Sequence, residues 1–220
     1  MKFTEKLRTV WFKLMARQLR LPSGLLAKLT GNRMNKSNAL LYQLTLNNLN
    51  LKNGDKVLEV GFGNGKHFSD FNTKAENLQI TGIDHSPEMV HEAIINNKAF
   101  FASGRLNVLV GSSDRMPFDN NSFDTIFCVN VIYFWENPSA HLQEVYRVLK
   151  PGGIFCAGFR PKENLSKFPF ANYGFIHYTE SDWKLLIEEN GFQFIRSQNG
   201  KELEIEMNQE NTPFDSLCMV

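Results

Sequence analysis

Short apolar segments alternate with segments of helical character along most of this chain. Each of the five apolar segments is six or seven residues long and rich in β-branched or aromatic residues, which is typical of buried strands. They are KVLEVG (56–61), QITGID (79–84), LNVLVG (106–111), DTIFCVN (124–130) and GIFCAGF (153–159). Strands that are separated by helices form parallel sheets with right-handed crossovers, so the alternation predicts an α/β fold.

Local signals also predict where some helices begin and how the sheet ends. Ser86 is a suitable N-cap and Pro87 a suitable first residue for a helix after the second strand, and another helix is predicted over 139–149. Near the C-terminus, FQFIRS and KELEIEM flank the dipeptide Asn199-Gly200, which favours a two-residue hairpin turn. The pattern predicts a seven-stranded, mostly parallel sheet that ends in an antiparallel hairpin.

The composition is that of an ordinary globular protein, with 42% of the 220 residues hydrophobic and 21% charged. No apolar run approaches the roughly 18 residues that span a bilayer, and no continuous apolar core follows the first positive charges. We therefore expect neither a transmembrane segment nor a secretory signal. The three cysteines (Cys128, Cys156 and Cys218) are far apart and lack CxxC spacing, which argues against a zinc site or disulfide framework and predicts a cytoplasmic protein.

The first 36 residues carry most of the positive charge. They contain nine Lys or Arg and one acid, whereas the rest of the chain has fifteen Lys or Arg and twenty-two acids. Apolar residues at helical spacing predict an amphipathic helix from Phe3 that ends near Pro22, and a second helix is predicted over 38–48. We expect residues 1–50 to form a helical N-terminal cap on a domain of residues 51–220.

The basic front helix has three interpretations, which the sequence leaves open. Residues 1–20 could form a lid over a ligand site, or lie on an anionic membrane surface at the inner face of the membrane. They could also pack on the domain as an ordinary helix with its basic side in water. In the membrane interpretation the buried apolar face consists of Phe3, Leu7, Trp11 and Leu14.

The first predicted strand runs directly into a glycine-rich turn, VLEVGFGNGKH (57–67). Dinucleotide enzymes hold a pyrophosphate in such a turn, but an acid such as Glu59 would repel a phosphate there. A cationic ligand without a phosphate, such as S-adenosylmethionine, suits Glu59 better, and Asp84 ends the next strand where a ribose would need a carboxylate. The remaining alternative is that the glycines only allow a tight turn to pack.

Four stretches together resemble the class I S-adenosylmethionine-dependent methyltransferases, in particular the small-molecule branch that includes quinone-biosynthesis methyltransferases. They are VLEVGFGNG, ITGIDHSPEM, GSSDRMPFDNNSFDTIFCVN and EVYRVLKPGGIF, in the family's order and spacing between residues 51 and 160. The resemblance implies a Rossmann-like α/β fold, S-adenosylmethionine as cofactor, and a small-molecule methyl acceptor.

The resemblance also implies roles for the glycine loop and the acids beside it. Gly61, Gly63 and Gly65 let the backbone approach the methionine part of the cofactor. Glu59 orients the loop or the ammonium group of the cofactor, and Asp84 accepts hydrogen bonds from both ribose hydroxyls.

The adenine and the reacting centre are assigned in the same way. The resemblance places His85 and Met89 beside the adenine, with the backbone amide of Ser113 directed at it. Family members usually have an Asp where this chain has Ser112, whose hydroxyl can still accept from the adenine amino group. Asn130 ends the fourth strand, next to the crevice that opens where the strand order reverses.

The residues that bind the methyl acceptor are harder to identify from the sequence. Tyr133 and Trp135, in NVIYFW, are candidates for an aromatic pocket or for cation–π attraction to the sulfonium, and the alternative for each is core packing. His177 is the candidate general base, against the alternative of a structural histidine. Arg160 and Lys162 could hold an anionic acceptor or form a solvated loop.

Two rival functions remain at the level of sequence. One is methylation of RNA or protein, which would require a basic track that the acidic balance of residues 37–220 does not favour. The chain also lacks the prolines of the Asn/Asp-Pro-Pro-Tyr/Phe motif of base-methylating relatives, because Val131 and Ile132 stand there. The other rival is a non-catalytic module that uses the fold at a membrane or protein surface.

Overall fold

The computed structural model describes residues 2–207 and 210–220, with side chains over 5–24, 26–71, 73–201 and 216–220. The helices are α1 Lys2–Arg20, α2 Ala27–Asn48, α3 Pro87–Asn96, α4 Lys98–Ala102, α5 Pro138–Val148, α6 Lys162–Leu165 and α7 Glu180–Glu189. The strands are β1 Lys56–Val60, β2 Gln79–Asp84, β3 Leu106–Val110, β4 Phe123–Val129, β5 Leu149–Phe159, β6 Ser197–Met207 and β7 Glu210–Met219. None of these helices combines the length and the apolar run that crossing a bilayer requires.

The seven strands form one sheet in the order β3-β2-β1-β4-β5-β7-β6. The first five strands in this order run parallel to one another, whereas β7 runs antiparallel to both β5 and β6. The predicted seven-stranded, mostly parallel sheet with a C-terminal antiparallel hairpin is therefore confirmed. The order reverses between β1 and β4, which opens a crevice at their carboxyl ends.

The hydrophobic core lies on both faces of the sheet. On one face, Leu142 and Val145 of α5 and Trp183 of α7 pack against the sheet. On the other face, the C-terminal half of α2 contributes Leu41 and Leu46 to a cluster that also contains sheet residues, among them Phe127 of β4 and Cys156 of β5. The proposed division of the chain at residue 50 stays a prediction, but the end of α2 is part of the sheet's own core.

The predicted position of the hairpin turn was wrong. Asn199 and Gly200 lie inside β6, where they pair with Leu217 and Ser216, and the pairing of β6 with β7 continues as far as Met207 and Glu210. An added Cβ at Gly200 would lie 3.0 Å from a methyl carbon of Leu44. The glycine therefore gives α2 room to pack on this strand, a long-range requirement that overrides the local turn preference of the dipeptide.

The helices predicted from the sequence are present, but one of them begins earlier than predicted. The Ser86 hydroxyl accepts a hydrogen bond from the amide of Met89 and caps α3, as expected. The second helix, however, begins at Ala27 rather than near 38. Its first half has no capping side chain and contains Gly31, so local signals for a helix are weak there.

Candidate active site

Three functional segments meet at the carboxyl edge of the sheet. Val60 of β1 is level with Ile83 of β2 on one side and with Cys128 of β4 on the other. The glycine loop follows Val60, Asp84 follows Ile83, and Asn130 comes two residues after Cys128, so the sheet register brings them to one edge. The backbone supports this arrangement, because the amide of Gly61 donates to the carbonyl of Ile83 at 2.8 Å.

The three loop glycines all have positive φ, but they serve different purposes. A Cβ at Gly61 would lie 2.4 Å from Val131, and one at Gly65 would lie 2.7 Å from Ala93. These two glycines are required by packing. A Cβ at Gly63 would meet no atom within 4 Å, so this is the glycine whose open side leaves space for a ligand against the backbone.

Asp84 is buried and oriented by two backbone donors. Its Oδ2 accepts from the amide of Gly63 and its Oδ1 from the amide of Ser86, both at 2.9 Å. Burial raises the pKa of Asp84, although these two hydrogen bonds favour the ionised form and oppose that shift. A carboxylate has about four lone-pair sites, so two more donors can be accepted, as two ribose hydroxyls would require.

Glu59 is also buried, and its partner comes from α2. The hydroxyl of Tyr42 donates to its Oε2 at 2.8 Å. Burial raises the pKa of Glu59 to about 8, even though the bond from Tyr42 lowers it; the nearby carboxylates of Asp84 and Asp70 add to the rise. The carboxyl is therefore poised to ionise when a positive charge arrives. Sequence reasoning did not identify Tyr42, because nothing local connects it to position 59.

The residues predicted to border the adenine lie after β2 and β3, at the same edge. Met89 is fully buried, whereas the side chain of His85 is about half exposed. The Ser112 hydroxyl is bonded to the Asp114 carboxylate, a bond that lowers the pKa of that acid. A hydroxyl that donates its hydrogen there keeps its oxygen lone pairs as acceptors, as the predicted role of Ser112 requires.

Ser113 is tied to a neighbour that the sequence did not link to it. Its hydroxyl lies 2.7 Å from Nδ1 of His141, whose ring is stacked on Trp135. Burial lowers the pKa of His141, which favours the neutral ring in this contact. The indole of Trp135 is buried in the core, so the core-packing alternative holds for this residue.

Asn130 is at the centre of a hydrogen-bond network that joins β4, β5 and α2. Its Oδ1 accepts from the hydroxyl of Tyr133 at 2.8 Å, and its Nδ2 donates to Oδ1 of Asn38 at 2.9 Å. The Tyr133 hydroxyl accepts from the amide of Arg160, and the Arg160 guanidinium also donates to Asn38, at 3.3 Å. Asn38 was not predicted from the sequence, because α2 contains five asparagines and nothing in the sequence distinguishes this one.

A cavity of about 530 Å³ opens beside this network. Its inner wall includes Asn130, Tyr133 and Arg160. The opposite wall is formed by one side of α1 and of the first half of α2. The apolar groups are mainly aromatic on the domain side (Phe134, Phe168, Phe170 and Phe175) and mixed on the α1 side (Trp11, Leu14, Met15 and Leu19).

His177 is not among the described residues that line this cavity. Its Nε2 contacts the carbonyl oxygen of Ala171 at 2.9 Å and its Nδ1 lies 3.1 Å from the Ser166 hydroxyl. With both ring nitrogens in such contacts, the geometry favours a structural histidine. Its role as a general base stays a prediction without geometric support.

The site combines a glycine loop with one open position, a buried acid at the end of the second strand, and a crevice where the strand order reverses. Together these features define an α/β enzyme that binds a nucleoside-containing cofactor. A family model described as "Methyltransferase domain" matches residues 58–157. An uncharacterized methyltransferase of Bacillus subtilis, YdaC, is 30% identical over 135 residues, covering 61% of this chain and 72% of the relative. The chain therefore belongs to the class I S-adenosylmethionine-dependent methyltransferases.

Two further comparisons extend this result. The 2-methyl-6-phytyl-1,4-hydroquinone methyltransferase 1 of Oryza sativa is 28% identical over 145 residues, which are 65% of this chain but only 42% of that protein. The crystal structure of a SAM dependent methyltransferase from Aquifex aeolicus superposes with a TM-score of 0.66 at 23% identity, over 86% of this chain and 97% of that one. The second comparison bears on the fold alone.

The described residues fit S-adenosylmethionine, the cofactor of this family. The open side of Gly63 gives a backbone cradle, the two remaining lone-pair sites of Asp84 suit a ribose diol, and Glu59 offers a carboxyl that a cationic ligand would ionise. The cofactor supplies a methyl carbon already activated by a sulfonium. The assignment of individual residues to parts of the cofactor remains our proposal.

We predict that Asp84→Asn weakens the binding of S-adenosylhomocysteine at least tenfold. The substitution removes charge-assisted hydrogen bonds worth roughly 1.5–3 kcal/mol each, and it disturbs the bond to the Gly63 amide. Calorimetry measures the affinity and circular dichroism checks the fold. The control is Asp124→Asn, near the start of β4 at the opposite edge, which should bind normally. Equal affinities in two folded variants would mean that Asp84 does not hold the ribose.

We also predict that Glu59 makes stability depend on pH. Because its pKa is raised in the folded state, its stabilising contribution is complete below about pH 4.5 and is lost as the pH rises towards 8. The group should lower the free energy of unfolding by up to about 1.4 kcal/mol per pH unit within that window. Urea unfolding of the cofactor-free protein at pH 5.5 and 7.5 measures this slope.

Glu59→Gln should remove most of that slope, because the amide can still accept from Tyr42 but does not titrate. Glu76→Gln, at an exposed position, is the matched control and should keep the slope of the unmodified protein. An unchanged slope in Glu59→Gln would show that the carboxyl is ionised in the folded protein throughout this range.

Proposed function

We propose that this methyltransferase acts on a small, apolar or aromatic molecule bound in the cavity beside Asn130. The observation that carries the proposal is the cavity itself, which is lined largely by aromatic and aliphatic side chains and meets the carboxyl edge of the sheet at Asn130. The similarity to a hydroquinone methyltransferase supports an acceptor of this class. The acceptor must be small, because about 500 Å³ is the size of an ordinary small-molecule pocket.

In this proposal the protein aligns the acceptor and excludes water, because methyl transfer is an in-line displacement that needs little else. Tyr133 contributes by position: its ring packs against Phe134 and Phe175, and its hydroxyl holds the side chain of Asn130. The network through Asn38 then fixes α2 over the crevice. His177 is left out of the mechanism as a base.

Methylation of RNA or protein is the less favoured alternative, and nucleic acid is not a proposed partner. The excess of acids in residues 37–220 would repel a phosphate backbone, and the aromatic lining of the cavity suits an apolar acceptor. The direct test is formation of S-adenosylhomocysteine with a panel of alkylated phenols and hydroquinones. Turnover only with RNA or protein would contradict the proposal.

We predict that a chain beginning at Leu21 keeps its fold and cofactor affinity but loses at least tenfold in turnover of an apolar acceptor. The contacts that anchor the following segment remain, since the Pro22 carbonyl accepts from Ser86 and the Gly24 amide donates to Glu88. What is lost is the α1 wall of the cavity. Calorimetry and circular dichroism provide the controls. A truncated chain that unfolds or fails to bind cofactor would make α1 a structural part of the cap.

The proposal includes a cytoplasmic enzyme that contacts an anionic membrane through residues 1–20. Leu7, Val10, Trp11 and Leu14 are each at least 40% exposed on α1, although Trp11 and Leu14 also line the cavity. Exposed basic residues share the helix: Lys6, Arg8, Lys13 and Arg17. Apolar and basic side chains on one surface helix favour an anionic interface, and an apolar acceptor could then enter the cavity from the membrane.

We predict that Trp11→Glu reduces co-sedimentation with phosphatidylglycerol vesicles at least fivefold. The variant loses apolar contact and adds a charge that the anionic surface repels. Leu185→Glu on α7 is the matched control, because Leu185 is 58% exposed against 55% for Trp11. Binding by the unmodified protein should weaken with salt. If the unmodified protein does not sediment with these vesicles, the membrane contact is wrong and the cap serves as a lid alone.

A further inference from the structure

Two of the three cysteines meet inside the sheet, although they are 62 positions apart in the chain. Sγ of Cys156, on β5, lies 2.8 Å from Sγ of Cys218, on β7, and both residues are fully buried. A disulfide bond is about 2.05 Å long, so small side-chain rotations would bring the two sulfurs within bonding distance. The contact could not be predicted from the spacing of the cysteines along the chain.

The strand register explains why these two side chains meet. β5 and β7 are antiparallel neighbours, and Gly158 is level with Cys218. Cys156 lies two positions before Gly158, so its side chain leaves the sheet on the same face as that of Cys218. Both cysteines belong to the core cluster that α2 covers. Diagonal neighbours on antiparallel strands are close enough for their side chains to interact.

The third cysteine is placed differently. Cys128 of β4 is level with Ala157, so its side chain points to the opposite face of the sheet from that of Cys156. It packs in the core cluster that contains Leu142 and Val145 of α5. The sheet therefore separates one suitable pair of thiols from a third thiol that serves as an internal control.

We propose that Cys156 and Cys218 form a modification site that closes to a disulfide when the protein meets a small oxidant of the peroxide class. One thiol attacks the peroxide, which breaks the O–O bond, gives a sulfenic acid and releases water. The second thiol attacks that sulfur, the S–S bond forms, and the oxygen leaves as a second water. The two thiols together lose two electrons and two protons, which balance the reduction of one hydrogen peroxide to two waters.

Burial controls when this reaction occurs. It raises the pKa of Cys156, so little of the reactive thiolate is present while the strands are closed. At residues 217–219, β7 pairs with β5, and opening of this short pairing would admit the oxidant. The bond, once formed, would hold the C-terminal hairpin against β5 and oppose further opening.

The test is oxidation of the full-length protein with a small molar excess of hydrogen peroxide, followed by non-reducing peptide mass spectrometry and thiol counting in denaturant. The same oxidation is run during refolding from urea, so that burial does not conceal the reaction. We expect peptides linked through Cys156 and Cys218, and a fall from three free thiols to one. The melting temperature should rise by at least about 4 °C, because the cross-link restricts the unfolded chain. Dithiothreitol should reverse these changes.

Serine variants provide the matched controls. Cys128→Ser should keep the link and the rise in melting temperature, whereas Cys156→Ser and Cys218→Ser should lose both. Three free thiols after both oxidations, a link that involves Cys128, or a linked protein that melts below the reduced one would each overturn the proposal. A link that forms only during refolding supports the site and shows that the closed sheet excludes the oxidant. If a serine variant does not fold, the peptides of the unmodified protein decide.

Discussion

The hydrogen bond from Tyr42 to Glu59 joins helix α2 to the central strand β1 inside the core. Burying a carboxyl is unfavourable, and the raised pKa of Glu59 measures that penalty. The penalty is tolerable because the tyrosine hydroxyl supplies a donor where water cannot reach. The same bond sets the rotation of α2, so that Asn35 bonds Asn64 of the glycine loop while Asn38 bonds Asn130. Together with the packing of Leu41 and Leu46 on the sheet, this buried contact holds one helix against both halves of the site.

The parts of the site that could be predicted from sequence are those coded by local pattern. The strand ends, the glycine loop, Asp84 and the cap at Ser86 each combine a residue type with a position beside a strand, and the structure brings them to one edge. Asn38, Tyr42 and the depth of Arg160 could not be predicted, because their importance arises from contacts between segments distant in the chain. The misplaced turn at Asn199-Gly200 has the same origin, since the packing of Leu44 decides what that glycine does.

Some residues of helix α1 both line the cavity and remain exposed to solvent. Trp11 and Leu14 must line a cavity and yet are half exposed, so the helix is not stabilised by complete burial of its apolar stripe. Among the described side chains of α1, Arg20 pairs with Glu136 at an exposed position, and such a pair contributes about 1 kcal/mol or less. The proposed lid requires a helix that is anchored no more strongly than this, so that an acceptor can enter without disturbing the sheet.

The positive charge at the front of the chain bears on the proposed contact with an anionic membrane. The first 36 residues contain nine basic residues, and Arg33 belongs to them as well as to the cavity. A basic helix with exposed apolar residues is attracted to an anionic membrane surface. The attraction falls off within a Debye length, about 8 Å at physiological ionic strength, so it acts only once the protein is at the interface.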